Sequence, residues 1–317
     1  MRFLPWLLAG VLATGAAAEV SFSESEVRAI LAHGPWPVAP STDPDNAASG
    51  NRAAIELGER LFFDRRLSGD GRFSCGTCHV PERNWTDNRT RGVAAAEVER
   101  NTPTLMNLRL GRAFGWKATS DKLWAQSTRP MLDKRELGAS AAHVAKLMRD
   151  DEQLACRYRK TFGLSPSASD DEVLANVGKV LAAFQETFET PPTPFDRFRN
   201  ALARGEKSTY PEAARRGLRT FIANCSACHS GPNFSAGDLR DNGFTGDGPY
   251  KVPTLRHLML TAPYGHHGEI ETLAEAVRHY SGRFELSAAQ QTDLVVFLES
   301  LSTLSNPWRP EDHATCR

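Results

Sequence analysis

The chain has 317 residues, with 38 basic and 38 acidic side chains and a formal net charge of zero. That balance removes the electrostatic case for nucleic acid or an anionic membrane surface as a partner. The length suits about two domains, and 24 Gly with 19 Pro point to a loop-rich chain.

In chain order, residues 1–18 read as a secretory leader. Arg2 is basic, residues 4–11 are apolar, and Ala16, Ala17 and Ala18 form a small-residue cleavage site. The apolar run is too short to span a bilayer. The chain is therefore expected to be cut after Ala18, to begin at Glu19, and to work in the periplasm without a membrane span. Such a compartment permits disulfides.

A helix is expected over residues 23–32, opened by Ser23 and early Glu residues and ended by His33-Gly34-Pro35-Trp36-Pro37. A second is expected over 53–63, with Ile55, Leu57, Leu61 and Phe62 packing on a bound group. It leads to Cys75-Gly76-Thr77-Cys78-His79, after which residues 81–99 are polar and mostly loop. Helical patterning returns at 142–148 and at 171–189, where Val173, Leu174, Val177, Leu181 and Phe184 share one side. Pro191-Pro192-Thr193-Pro194 ends that helix and marks a crossing, dividing the mature chain into 19–194 and 195–317. A helix over 212–222 leads into Cys225-Ser226-Ala227-Cys228-His229, and a last amphipathic helix covers 287–301. No β-periodicity persists, so the expected fold is all-α with long loops.

Cys-x-x-Cys-His is the pattern of covalent c-type haem attachment, in which two thiols bind the haem vinyl groups and the His binds iron. The alternatives are a redox dithiol or half a zinc site. Zinc would require two further ligands at short spacing, and neither motif has another Cys nearby. Two copies imply two covalent haems held by Cys75, Cys78 and His79 and by Cys225, Cys228 and His229. This leaves Cys156 and Cys316, and an oxidising compartment favours pairing them over leaving them free.

From residue 101 onward the order "RNTPTL…FGW…Q…P…E", "CSACHSGPNF", "KVPTLR" and "TAPYGHHG…Y" resembles the bacterial di-haem cytochrome c peroxidases over residues 50–302. Within that family the chain looks like the MauG branch, and its opening looks most like the MbnH-type enzymes. The resemblance implies two cytochrome c-like domains, a peroxidatic haem in the first and an electron-transfer haem in the second. It implies a calcium ion held by Asn101, Thr261 and Pro263, although Asn-Thr-Pro and Thr-Pro are otherwise ordinary turn residues. It also implies that Trp116 relays electrons between the haems, where an isolated Trp would be read as core packing.

Gln126, Pro130 and Glu136 lie 10, 14 and 20 residues after Trp116 and match the family's distal pocket over the first haem. There a carboxylate acts as acid and base toward hydrogen peroxide, whereas an isolated Glu on a polar segment would be a solvated charge. The detoxifying peroxidases carry a capping His after the first motif; none occurs between Val80 and Arg100, so that haem is expected to be open at rest. Tyr280 stands 14 residues after His266, where those peroxidases place Met, and is expected to ligate the second iron. An anionic phenolate stabilises highly oxidised iron, where a thioether raises the potential. The implied activity is peroxide-dependent oxidation of a Trp on a partner protein to kynurenine. A detoxifying peroxidase fed by a small electron-donor protein is the alternative, and a non-enzymatic di-haem carrier the third. An open haem beneath Glu and Gln argues against the carrier.

Overall fold

The structure, a computed structural model, describes residues 20–241, 246–304, 308–310 and 314–316. The leader and its cleavage point before Glu19 lie outside them. Among the described residues there are eleven α-helices: α1 (Glu24–Leu31), α2 (Arg52–Phe63), α3 (Cys75–Cys78), α4 (Leu123–Leu132), α5 (Ala141–Asp150), α6 (Glu152–Phe162), α7 (Asp170–Gln185), α8 (Pro194–Ala203), α9 (Glu212–Asn224), α10 (Leu273–Phe284) and α11 (Ala288–Glu299). The fold is all-α apart from one ribbon, β1 (Leu239–Arg240) antiparallel to β2 (Tyr250–Lys251). No helix of the described residues is long and apolar enough to cross a membrane.

Local chemistry explains many helix starts. Ser23 caps α1 and forms a capping box with Glu26, and Ser287 does the same for α11 with Gln290. The helix expected at 171–189 ends instead at Gln185. Phe188 turns inward to stack on Trp85, ring centroids 3.7 Å apart, and Asn107 Oδ1 accepts from the Thr190 N–H at 2.9 Å. These contacts draw the backbone out of the helix.

The helices surround two apolar cores. In the first, α2, α4 and α5 pack on α7, with Phe62, Trp85, Phe184 and Phe188 at its centre. In the second, α9 crosses α11, flanked by α1, α8 and α10, around Phe195, Phe221, Phe234 and Phe297. Each such buried side chain contributes about 1.5–3 kcal/mol. Both central crossings require glycine. A Cβ on Gly58 of α2 would lie 2.1 Å from the Val180 carbonyl oxygen, and one on Gly217 of α9 would lie 1.9 Å from that of Asp293.

The two ends of the chain cross over between the cores, which a division at 194 does not anticipate. Ile30 of α1 is fully buried in the second core, and Glu212 accepts from the Val20 N–H at 2.8 Å. Conversely, Trp308 packs on Trp85 and Phe63 of the first core. Beyond it Cys316 is disulfide-bonded to Cys156 of α6, 160 residues away, pairing the two cysteines the motifs leave over. Of the residues expected to pack on a haem from α2, Leu57, Leu61 and Phe62 are buried core and Phe62 alone reaches the main cavity.

Candidate functional site: two Cys-x-x-Cys-His motifs and the cavity at the first

The first motif forms α3, a single turn opened at Ser74, whose N–H donates to Thr77 Oγ1 at 3.0 Å. Gly76 is necessary there because a Cβ would meet the Phe63 ring at 2.6 Å. His79 Nδ1 lies 2.9 Å from the Trp85 carbonyl oxygen. A carbonyl can only accept, so Nδ1 carries the proton and Nε2 keeps its lone pair for a metal. The second motif follows the C-terminus of α9 and uses the same device: His229 Nδ1 donates to the Phe234 carbonyl at 3.0 Å. Burial lowers the pKa of both rings, that of His229 to about 4, which keeps them neutral and ready to ligate.

The cysteines bear on the alternative readings. Burial pushes the thiols of Cys75 and Cys225 up to about 12 and that of Cys78 up to about 11. Redox dithiols and zinc ligands act as thiolates, which these surroundings disfavour.

A cavity of about 1090 Å³ has Cys75, Cys78 and His79 in its wall, together with Ser230 and Pro232, which directly follow the second motif in the chain. Gln126, Pro130 and Glu136 all line it. Gln126 and Pro130 ride on α4, which lies close against α7: a Cβ on Gly178 would meet the Trp124 carbonyl oxygen at 2.6 Å. Gln126 Oε1 is buried without a hydrogen-bond partner, an acceptor aimed at something the protein does not supply. Burial, then the charge of Asp133, raises the pKa of Glu136. Glu136 is near enough to Cys75 and Cys78 for its charge to push up both thiols. Neutral imidazoles and non-ionised thiols at both motifs fit a covalently held haem at each, and at the first the cavity and the unpartnered Gln126 acceptor add to that fit.

Trp116 also lines this cavity, its Nε1–H donating to the Asn101 carbonyl at 2.8 Å. Asn101, Thr261 and Pro263 line the same cavity. The Asn101 amide group donates to the Arg89 carbonyl at 2.6 Å and Thr261 Oγ1 donates to that of Leu258 at 3.0 Å. Among the described residues Asn101 Oδ1 and the carbonyls of Thr261 and Pro263 accept no hydrogen bond, so hard oxygen donors remain for a cation.

Tyr280 lies on α10 outside this cavity, as does the Cys225–His229 motif itself. It is half-buried, between inward-facing Val277 and Ser281, whereas its neighbour His279 is exposed. Trp36 and Trp85 are buried core residues. Trp36 donates Nε1–H to the Thr190 carbonyl at 2.8 Å and lies 3.6 Å beneath the Arg256 guanidinium.

Sequence reasoning missed the support of the second motif. His33, read as part of a helix stop, is buried, stacks on Phe234 at 4.5 Å and hydrogen-bonds to the Gly231 carbonyl at 3.0 Å. Arg256 and Asp196 form a fully buried pair with two 2.9 Å hydrogen bonds, and Arg256 Nε donates to the Pro232 carbonyl at 2.6 Å. The only local signal was Asp196 three residues after Thr193, a capping box.

Residues 52–204 match the family model of the di-haem cytochrome c peroxidases. The chain is 34% identical to methylamine utilization protein MauG of Methylorubrum extorquens, the match covering 78% of this chain and 77% of that one. It is 30% identical to cytochrome c551 peroxidase of Nitrosomonas europaea, over 80% of each. Among solved structures, a MauG-like protein associated with microbial copper homeostasis superposes with a TM-score of 0.72 at 25% identity, over 87% of this chain and 99% of that one. The diheme peroxidase BthA of Burkholderia thailandensis gives 0.65 at 18% identity, over 83% and 87%, a likeness of fold.

Proposed function

Because the chain belongs to the di-haem cytochrome c peroxidase and MauG family, a family of peroxide-dependent oxidoreductases with two haems c, we propose that it uses hydrogen peroxide to oxidise a Trp on a partner protein to kynurenine. The observation that carries this reading is the pairing of Glu136, its pKa raised by burial, with the unpartnered Gln126 Oε1 in the cavity shared with His79. Two haems, held by Cys75, Cys78, Cys225 and Cys228 with His79 and His229 as axial ligands, supply the redox centres when bound. Gln126 Oε1 accepts a hydrogen bond from peroxide and orients it. Glu136 takes a proton from one peroxide oxygen and returns it to the other, so that the departing oxygen leaves as water. Pro130 narrows the space between them, admitting peroxide and excluding larger reductants. Trp116 conducts electrons between the two motifs.

Tyr280 is the second axial ligand in this reading, Asn101, Thr261 and Pro263 hold calcium, and the protein is exported after removal of residues 1–18. The association of the structural relative with microbial copper homeostasis supports the MbnH-type branch. The likeness to a cytochrome c551 peroxidase favours a second reading, a peroxidase fed by a small donor protein.

The test is to give peroxide-treated enzyme the purified product of its neighbouring gene and to map that product by tandem mass spectrometry. Conversion of a Trp to kynurenine, lost with Trp116→Phe, is expected. Rapid turnover of a reduced cytochrome or cupredoxin with no modified residue would establish the donor-fed peroxidase instead.

A further inference from the structure

The aromatic path does not end at Trp116. Its ring lies 6.5 Å from that of Tyr250 and 6.2 Å from that of His266, and the latter two stack on each other at 3.4 Å and 24°. Main-chain bonding fixes the arrangement: the Lys251 N–H donates to the Trp116 carbonyl at 2.8 Å, so β2 holds Tyr250 against the indole. Tyr250 is 3% exposed. Its hydroxyl donates to Asp247 Oδ2, and the Asp247 side chain is 39% exposed. Three side chains thus lead from the cavity wall to solvent.

Five further or shared charged and titratable groups face this phenol. Lys117 Nζ stands 3.7 Å and the Arg100 guanidinium 5.4 Å from the ring centroid, Arg100 Nη2 donates to the hydroxyl at 3.3 Å, and His266, His267 and Asp247 complete the surround. Cations over the ring oppose any step that leaves positive charge on it. An electron can leave Tyr250 easily only together with its proton, and Asp247 is placed to accept that proton. Asp247, His266 and His267 also have the composition of a metal site, with ligand atoms within 4.8 Å of one another. Arg100 and Lys117, however, already lie 3.8 and 4.0 Å from Asp247 Oδ2, and two resident cations disfavour a third.

We propose that Tyr250 is a redox relay carrying oxidising equivalents from Trp116 to the surface beside Asp247, where an aromatic residue of the partner protein delivers its electrons. The inference rests on the peroxide chemistry proposed above. Oxidised Trp116, an indole radical cation, takes one electron from Tyr250. The phenolic O–H bond breaks, its proton passes to Asp247 Oδ2, and Tyr250 becomes a neutral phenoxyl radical. The partner then supplies an electron, and Asp247 returns the proton to the phenol oxygen. Two such transfers, with two protons released by the partner, match the two electrons and two protons that reduce one hydrogen peroxide to two waters.

The experiment uses holoenzyme labelled with ring-deuterated tyrosine, mixed with peroxide without partner and freeze-quenched for EPR. A tyrosyl signal narrowed by deuteration and absent from Tyr250→Phe is expected. Asp247 acts through Tyr250, so Asp247→Asn should slow formation of that signal by about 10²-fold, and Asp247→Glu should restore it. In unmutated enzyme a nitroso spin trap followed by peptide mapping should find the adduct on Tyr250, a measurement that needs no variant to fold. A signal unchanged in Tyr250→Phe, or adducts only at other residues, overturns the relay alone. Unmutated enzyme whose haem absorption does not respond to peroxide overturns the underlying peroxide reading, and the relay with it.

Discussion

The two halves of this molecule solve one problem in the same way and then diverge. Each leads into its Cys-x-x-Cys-His motif from a helix whose glycine admits the carbonyl of a crossing helix, Gly58 against Val180 and Gly217 against Asp293. Each orients the motif His by giving its Nδ1 proton to a nearby carbonyl, of Trp85 or Phe234. Beyond that, the first half lines an open cavity with polar groups: Gln126 Oε1 has no partner and Glu136 holds a raised pKa. The second half packs side chains around its motif: His33, Trp36, Phe234 and the Arg256–Asp196 pair. An unsatisfied buried acceptor costs roughly 1–3 kcal/mol and is tolerable where a substrate completes it.

The sharpest way to break this contrast is at Glu136. Glu136→Gln should slow the reaction of fully ferric enzyme with peroxide by about 10²–10⁴-fold, read by stopped-flow absorption, with haem content unchanged. A smaller effect would mean that the first half is not the proton-handling half. A lag removed only by pre-reduction would show that the first haem is capped despite the lack of His between Val80 and Arg100.

In the second half the corresponding weak point is structural. Asp196→Asn leaves the Arg256 guanidinium, 0% exposed, without its counter-charge. Breaking such a pair costs about 3–5 kcal/mol. Chemical denaturation should show the loss, with signals of the second core unfolding before those of the first. Coincident unfolding of both cores at the unmutated midpoint would contradict the assignment.

Acid should also act on the second half, through His257. Burial, then the charge of Arg256, lowers its pKa from the ordinary 6.5 to about 4. Between those values the folded state binds fewer protons than the unfolded one, so stability is full above pH 6.5 and falls as the pH drops toward 4. The loss is at most about 3 kcal/mol. His257→Gln, which cannot titrate there, should flatten this part of the stability–pH curve.

The smallest effects come from the shared feature. Gly58→Ala and Gly217→Ala each force a methyl group onto a carbonyl oxygen, and overpacking of this kind costs about 1–3 kcal/mol. Similar losses in the two variants, measured by thermal melting, would support equivalent crossings; a neutral Gly217→Ala would break the symmetry.

Legibility followed the range of the interactions. The helix starts at Ser23 and Ser287 and the paired motifs were readable because their signals lie within a few residues of one another. The helices α4, α6, α8 and α10 have no counterpart among the expected ones. In α6 the segment Glu152–Phe162 is rich in charge, and Arg157 is buried in the fold. In α8, Pro194 is the first helical residue and Thr193 its cap, a start signal hidden in a proline run that also reads as a linker. The resemblance to the family pointed to Gln126, Pro130 and Glu136, and the fold gathers all three on one cavity.

The sequence by itself determined what is covalent or local: two haem attachment motifs, the caps that start helices, the two cysteines left to pair, and a neutral overall charge. Tertiary structure alone decided what depends on distant segments meeting. It carried α1 onto the second core and Trp308 onto the first, buried Arg256 against Asp196 at a separation of 60 residues, and set Tyr250 between Trp116 and Asp247. The physical reason is that a side chain's chemistry is written at its own position, whereas its solvation and charged neighbours come from whichever segments the fold packs around it. That packing leaves Gln126 unpartnered, raises the pKa of Glu136, and lowers those of His229 and His257.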